Sequence, residues 1–288
     1  MSIMEFISEI IDYGFVQKAL FTSVMVGIIC GIVGCFIVLR GLALMGDAIS
    51  HAVLPGVAIS FLLDINFFYG AVAAGILTAL GIGYVNQNSR IKSDSSIGIV
   101  FTAFLALGVL LIRYAHSGVN LDSILFGSLT SVQTSDMWMT LIVGAIVLLV
   151  VVLFYKELLI STFDPTMAAA YGLPTKLIHY MLMILLTLVT VASMQTVGVV
   201  LVVALLITPA STAYLLTNRL WVMLILSAAF GVISSLAGLY FSFAYDLDSG
   251  AVIVLTSFLL FAFIFFFSPK QGVLWRAIRS KRKRNAAS

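Results

Sequence analysis

Of the 288 residues, 62% are hydrophobic and 9% are charged, with a net charge of +3 and a mean hydropathy of +1.18. A soluble domain carries about 25% charged residues, and one of this length could not hide so much apolar surface in a single core. These values exclude a water-soluble fold and make lipid the solvent for most of the chain.

The N-terminal segment, Met1 to Tyr13, holds Glu5, Glu9 and Asp12 and has no basic stretch ahead of an apolar core, so it does not read as a signal peptide. Apolar runs of roughly 20 residues then recur throughout, and only helices fit so many of them in a bilayer. The pattern predicts an all-α polytopic integral membrane protein. Its nine spans lie near 15–39, 42–63, 67–85, 96–114, 136–155, 176–194, 196–216, 220–244 and 249–268. The break around Gln195 to Gly198 is weak, which leaves eight or ten spans as alternatives. With the spans removed no soluble domain remains, and the chain reads as one transmembrane domain over 1–288.

The two cysteines, Cys30 and Cys35, lie in the first run, five residues apart and so on different faces of a helix. They read as small packing residues, not as a disulfide or a metal pair. Placing the C-terminus inside puts every basic residue except Lys18 and Arg113 at the cytoplasmic face, as the positive-inside rule requires. The acids Glu5, Glu9, Asp12, Asp64, Asp122, Asp136, Asp246 and Asp248 then collect outside, giving an N-out, C-in topology. The basic tail at 270–288 is a topology anchor that also touches anionic lipid, and no nucleic-acid partner is expected.

Two stretches between spans stand out. The outer one, His116 to Ser135, is long enough for a re-entrant or interfacial turn. The inner one, Ser161 to Pro174, reads STFDPTMAAAYGLP and predicts a short helix. Asp164 suits the N-cap, Pro165 the first helical position, and Gly172 the left-handed C-terminal position, with Pro174 blocking continuation. A helix built to touch something in the cytoplasm and an ordinary interfacial connector both fit this composition.

The residues able to carry chemistry are Asp47 and His51, four apart inside the second span and hence on one helix face. An ionised carboxylate at that depth costs a few kcal/mol and must be compensated. The pair is half of a divalent-cation site, and a two-fold dimer with this helix near its axis would bring two Asp and two His together. A hydrogen bond within the helix and a proton relay are the alternatives. Pro55, one turn on, removes a backbone donor and predicts a kink; Gly46 and Gly56 allow close helix approach. Pro209 is expected to break the seventh span, with Thr208, Ser211 and Thr212 satisfying freed backbone groups. His116 and His179 read as surface residues near the membrane edges. No GxxxxGK[ST] loop and no serine, cysteine or zinc-protease constellation occurs, so the chain reads as a transport subunit and not an enzyme.

The stretch VLRGLALMGDAISHAVLPGVA, Val38 to Ala58, resembles the signature of the zinc/manganese/iron class of ABC-transporter permeases. FDPTMAAAYGLP and VGVVLVVALLITPASTA, Val197 to Ala213, are similar to two further stretches of that family. The resemblance covers nearly the whole chain. It implies a multi-pass permease of the bacterial plasma membrane, assembled as a homodimer on cytoplasmic ATPase subunits that bind ATP. An extracytoplasmic metal-binding protein would feed it. Asp47 and His51 would then be the metal site, and Asp164, Pro165, Met167, Ala168, Ala169, Tyr171 and Gly172 would form the coupling helix against the ATPase. Manganese is the favoured cargo, with zinc and ferrous iron as alternatives. The rival readings are a proton- or ion-coupled secondary transporter working without an ATPase and a membrane scaffold that transports nothing.

Overall fold

A computed structural model describes residues 12–114 and 132–268, and among these residues every regular element is helical. In chain order the helices are α1 (Gly14–Leu39), α2 (Ala43–Ala52), α3 (Leu54–Leu62), α4 (Phe67–Asn88), α5 (Ser93–Tyr114) and α6 (Thr134–Leu153). They continue with α7 (Tyr155–Phe163), α8 (Pro165–Ala170), α9 (Thr175–Val197), α10 (Val199–Tyr214), α11 (Leu220–Tyr245) and α12 (Ser249–Phe267). Most of the expected outer stretch from His116, the two N-terminal acids Glu5 and Glu9, and the basic tail lie outside the described residues.

Eight spans are long and apolar enough to cross a bilayer, with α2 and α3 together forming one of 20 residues, Ala43–Leu62. The seventh of the nine expected spans is α10, whose 16 residues reach about 24 Å against a hydrocarbon core of roughly 30 Å. The weak break near residue 198 is real: Gly198 takes φ +81° and ψ 163°, a conformation open essentially to glycine alone. Pro209 does not break α10, which runs through it. Thr212 donates to the carbonyl of Thr208 at 2.7 Å, so a hydroxyl binds the backbone beside the proline.

The kink expected at Pro55 is present. α2 stops at Ala52, Val53 turns the chain with ψ −14°, and α3 restarts with Pro55 in its first turn, where a missing N–H costs nothing. The N–H of Val53 bonds to the carbonyl of Ile49 at 3.1 Å.

Without a hydrophobic drive between helices in lipid, association depends on close packing and interhelical hydrogen bonds. α1 and α11 meet along a seam of small residues: a Cβ on Gly27 or Gly31 would lie 2.9 Å from backbone atoms of Gly231 or Ser227. Two hydroxyls cross that seam, from Ser227 to the Gly31 carbonyl at 2.8 Å and from Ser235 to the Ser23 carbonyl at 3.0 Å. The same economy joins α3 to α4, where a Cβ on Gly56 would run into the carbonyl of Gly70. Gly46 differs from expectation, since a Cβ there would meet only the Leu206 side chain at 3.6 Å, an ordinary contact.

α1, α2–α3, α9 and α10 form the buried centre, while α5, α6 and α12 present mostly apolar side chains outward. Cys30 and Cys35 are both free and fully buried, as packing residues should be. The small-residue seam makes a testable demand. Gly31→Ala should lower the thermal midpoint of the detergent-solubilised protein by several degrees, the cost of overpacking being about 1–3 kcal/mol. Gly98→Ala, with nothing within 4 Å of its Cβ, should be neutral or mildly stabilising by up to about 1 kcal/mol.

Candidate functional site

The turn that delivers the chain from α1 to α2 is fixed by backbone bonds. The N–H of Gly41 bonds to the Val38 carbonyl at 3.1 Å and that of Leu42 to the Ile37 carbonyl at 2.9 Å, the six-to-one closure of a helix C-terminus. It requires a left-handed residue, and Gly41 supplies φ +68°. α2 then buries Met45, Ala48, Ile49 and Ala52. That register turns Asp47 and His51 together to the opposite face.

The structure brings these two residues together but does not hydrogen-bond them. His51 Nε2 lies 3.6 Å from Asp47 Oδ1, beyond hydrogen-bond range. The Asp47 side chain is 51% exposed and that of His51 28% exposed. The imidazole leans on Phe101 of α5, ring centres 6.0 Å apart, and this is the wall that orients it. Among the described residues no third His, Cys, Asp or Glu joins the pair. One chain therefore offers a carboxylate oxygen and an imidazole nitrogen, side by side on an open face.

The short helix between α7 and α9 forms as its sequence requires. Asp164 Oδ1 accepts from the N–H of Met167 at 2.9 Å and from the hydroxyl of Thr166 at 2.6 Å. The Thr166 hydroxyl first, and the Met167 N–H second, hold the Asp164 carboxyl below the usual carboxylate range. Gly172 closes the far end with φ +79°, and the N–H of Leu173 reaches back to the Ala168 carbonyl at 3.0 Å. Pro165, Met167, Ala169, Tyr171 and Gly172 are exposed, whereas Ala168 is fully buried and seats the helix instead of presenting it. Phe163, at the end of α7, is also exposed beside the short helix, an apolar residue that the sequence reading did not include.

A second cluster was also missed. Arg40, at the end of α1, sends Nη2 to Ser161 Oγ at 2.7 Å and Nε to Thr162 Oγ1 at 3.1 Å, and its Nη1 stands 3.5 Å from His179 Nδ1. His179 is thus half-buried in a polar network, not the surface residue that its position near a helix end suggested. Burial lowers the affinity of the Arg40 guanidinium for its proton relative to its ordinary value. Arg40, Ser161, Thr162, Pro165, Lys176 and His179 are among the residues lining a cleft of about 580 Å³. No sequence signal pairs residues about 120 positions apart; a lone arginine directly before a glycine C-cap was the only local hint.

A bundle of apolar helices with an ionisable pair on a broken span has the architecture of a membrane protein suited to transport. The chain belongs to the ABC 3 transport family, whose model matches residues 12–268. It is 60% identical over 284 residues to the manganese transport system membrane protein MntC of Halalkalibacterium halodurans, covering 98% of this chain and 97% of that one. It is 52% identical over 277 residues to the manganese import system permease protein ScaB of Streptococcus gordonii, covering 96% and 100%. In three dimensions it superposes on a chain of PsaBC from Streptococcus pneumoniae, solved in complex with Fab. The TM-score is 0.84 at 51% identity, and the match covers 94% of this chain and 98% of that one. The chain is accordingly a multi-pass membrane permease, a transport component and not an enzyme.

The capped helix yields its own prediction. Asp164→Ala should speed amide hydrogen exchange at Met167 and its neighbours, while Asp164→Asn, which keeps a capping oxygen, should leave it near wild type. Because the Asp164 carboxyl titrates below its ordinary value, its stabilisation is present above the unfolded value of about 3.9. It is lost as pH falls through the lowered one, so exchange in α8 should rise only in strongly acid solution.

Proposed function

We propose that this chain is the permease subunit of an ATP-driven manganese importer in the bacterial plasma membrane, with Asp47 and His51 as the ion ligands on its route. The relatives' names support manganese as the cargo, and family membership supports a separate ATPase and an extracytoplasmic binding protein as partners. Zinc and ferrous iron suit the same donors, and the donor set alone does not separate the three. Membership of an ABC transport family weighs against the gradient-driven rival.

The single observation that carries the ligand assignment is the geometry of the pair. At 3.6 Å, Asp47 and His51 are too far apart to satisfy each other. Yet two donors about 2.1 Å from one metal ion stand about 3–3.5 Å from each other, so a small adjustment would seat an ion between them. One carboxylate and one neutral imidazole leave a divalent ion half neutralised. A second copy, with its own pair across a two-fold axis, would complete both charge and coordination. The open exposure of Asp47 on a single chain supports a homodimer built around α2.

In the N-out, C-in reading, which requires the short α10 to return the chain across the membrane as a ninth crossing, Arg40, Arg90, Lys92, Lys156, Lys176 and Arg219 face the cytoplasm. α8 lies at that same end, where Met167, Tyr171 and the adjacent Phe163 of α7 are exposed to meet the ATPase. ATP binding and hydrolysis there would move α8 and repack the spans, alternately opening the site outward and inward. An incomplete ligand set per chain suits this cycle, since a cage of full strength would not release its ion.

Proteoliposomes holding the complete complex decide the matter. Asp47→Ala and His51→Ala should each cut ATP-dependent manganese uptake by at least about tenfold, the loss typical of metal-site partners, with the complex still assembled. Omitting the ATPase should abolish uptake. Wild-type uptake by either variant would contradict the assignment.

A further inference from the structure

Arg40 carries a positive charge in a half-buried position, and among the described residues no carboxylate pairs with it. A cation at a helix C-terminus ordinarily complements the helix dipole. Here the last carbonyls of α1 already receive the N–H groups of Arg40, Gly41 and Leu42. The guanidinium is directed away from them, with each of its three nitrogens facing a different side chain: Thr162, Ser161 and His179.

The positions of those partners give the contact its meaning. Ser161 and Thr162 occupy the last turn of α7, directly before Asp164 caps α8. His179 stands on the opening turns of α9, directly after the segment that carries α8. One planar group therefore grips both ends of the connector holding the short exposed helix. On its other side Arg40 is joined to α2 by only Gly41 and Leu42, held in the closed turn described above, with Leu42 buried. Asp47 is the fifth residue of α2. A displacement of α8 thus has a short, rigid path to the helix bearing the ionisable pair.

We propose that Arg40 is the positioning residue that transmits movement of α8 to α2. This rests on the reading that α8 meets the ATPase and that α2 bears the ion. Three features suit Arg40 to the task. A guanidinium holds several directed bonds in one plane, which a lysine ammonium cannot reproduce. Its partners are hydroxyls and an imidazole, which orient it without the full charge pairing that would lock it. The adjoining cleft gives the head group water and space when the contact loosens.

The test uses the assembled complex in proteoliposomes and compares Arg40→Ala, Arg40→Lys and Asp47→Ala. Arg40→Ala should keep ATP hydrolysis within about twofold and keep manganese binding, while ions imported per ATP fall tenfold or more. Arg40→Lys should lie between. A second readout follows α2 itself. Leu44→Cys places a thiol one turn before Asp47 on the face of α2 that bears the pair, where its access follows the state of the route, and the native Cys30 and Cys35 are fully buried and so silent. Its maleimide labelling should respond to ATP in the parent protein and lose that response in Arg40→Ala. Normal coupling and labelling in Arg40→Ala beside an inactive Asp47→Ala overturns the tether alone. Loss of metal binding or of assembly in proportion to uptake overturns it in favour of a structural role. Full uptake by Asp47→Ala brings down the underlying site reading, and the tether with it.

Discussion

Carrying a carboxylate and an imidazole on a helix that must otherwise satisfy lipid is the constraint around which this bundle is arranged. Asp47 alone would cost a few kcal/mol at depth in hydrocarbon, and the structure does not offset this by pairing it with His51, since 3.6 Å is too long for a hydrogen bond. The cost is tolerable if the face bearing the pair meets another polar surface and a visiting cation. On the isolated chain Asp47 is half exposed, so nothing among the described residues covers it.

The rest of the fold forms the frame against which that face is set. α1, α9 and α10 make a tight centre, and the glycine and serine contacts between α1 and α11 let backbones touch where no hydrophobic force would press them together. The helix with the pair is treated differently: it is short, broken at Val53, and bounded at its start by a glycine turn. A broken span packed against a rigid centre can shift as a unit. Such discontinuous helices are where membrane transporters place their binding sites.

Much of this was legible in the residues. The apolar runs gave the spans, Pro55 marked the break in the second, and Asp164, Pro165 and Gly172 defined the short helix to within its caps. Misreadings came where tertiary context overrides a local signal. Pro209 suggested an interruption, yet α10 continues, because packing on α1, α11 and α12 holds the helix where one backbone bond is lost. Of the two glycines expected to allow close approach, Gly56 does so and Gly46 does not, while the longest such seam lies between α1 and α11. Ala168 could not be told from Ala169 by composition, although one seats the short helix and the other is exposed. The Arg40 network was not legible at all, since it joins residues separated by 121, 122 and 139 positions that share no periodicity. For the site itself, spacing put Asp47 and His51 on one face. Only their separation in space weighs against a local hydrogen bond.

The most direct measurement is X-ray absorption at the manganese edge of the metal-loaded complex. The account predicts a shell of oxygen and nitrogen donors with the outer scattering of imidazole, and loss of that imidazole signature in His51→Ala. A purely aqueous or all-oxygen shell in the wild type, unchanged by His51→Ala, would contradict it.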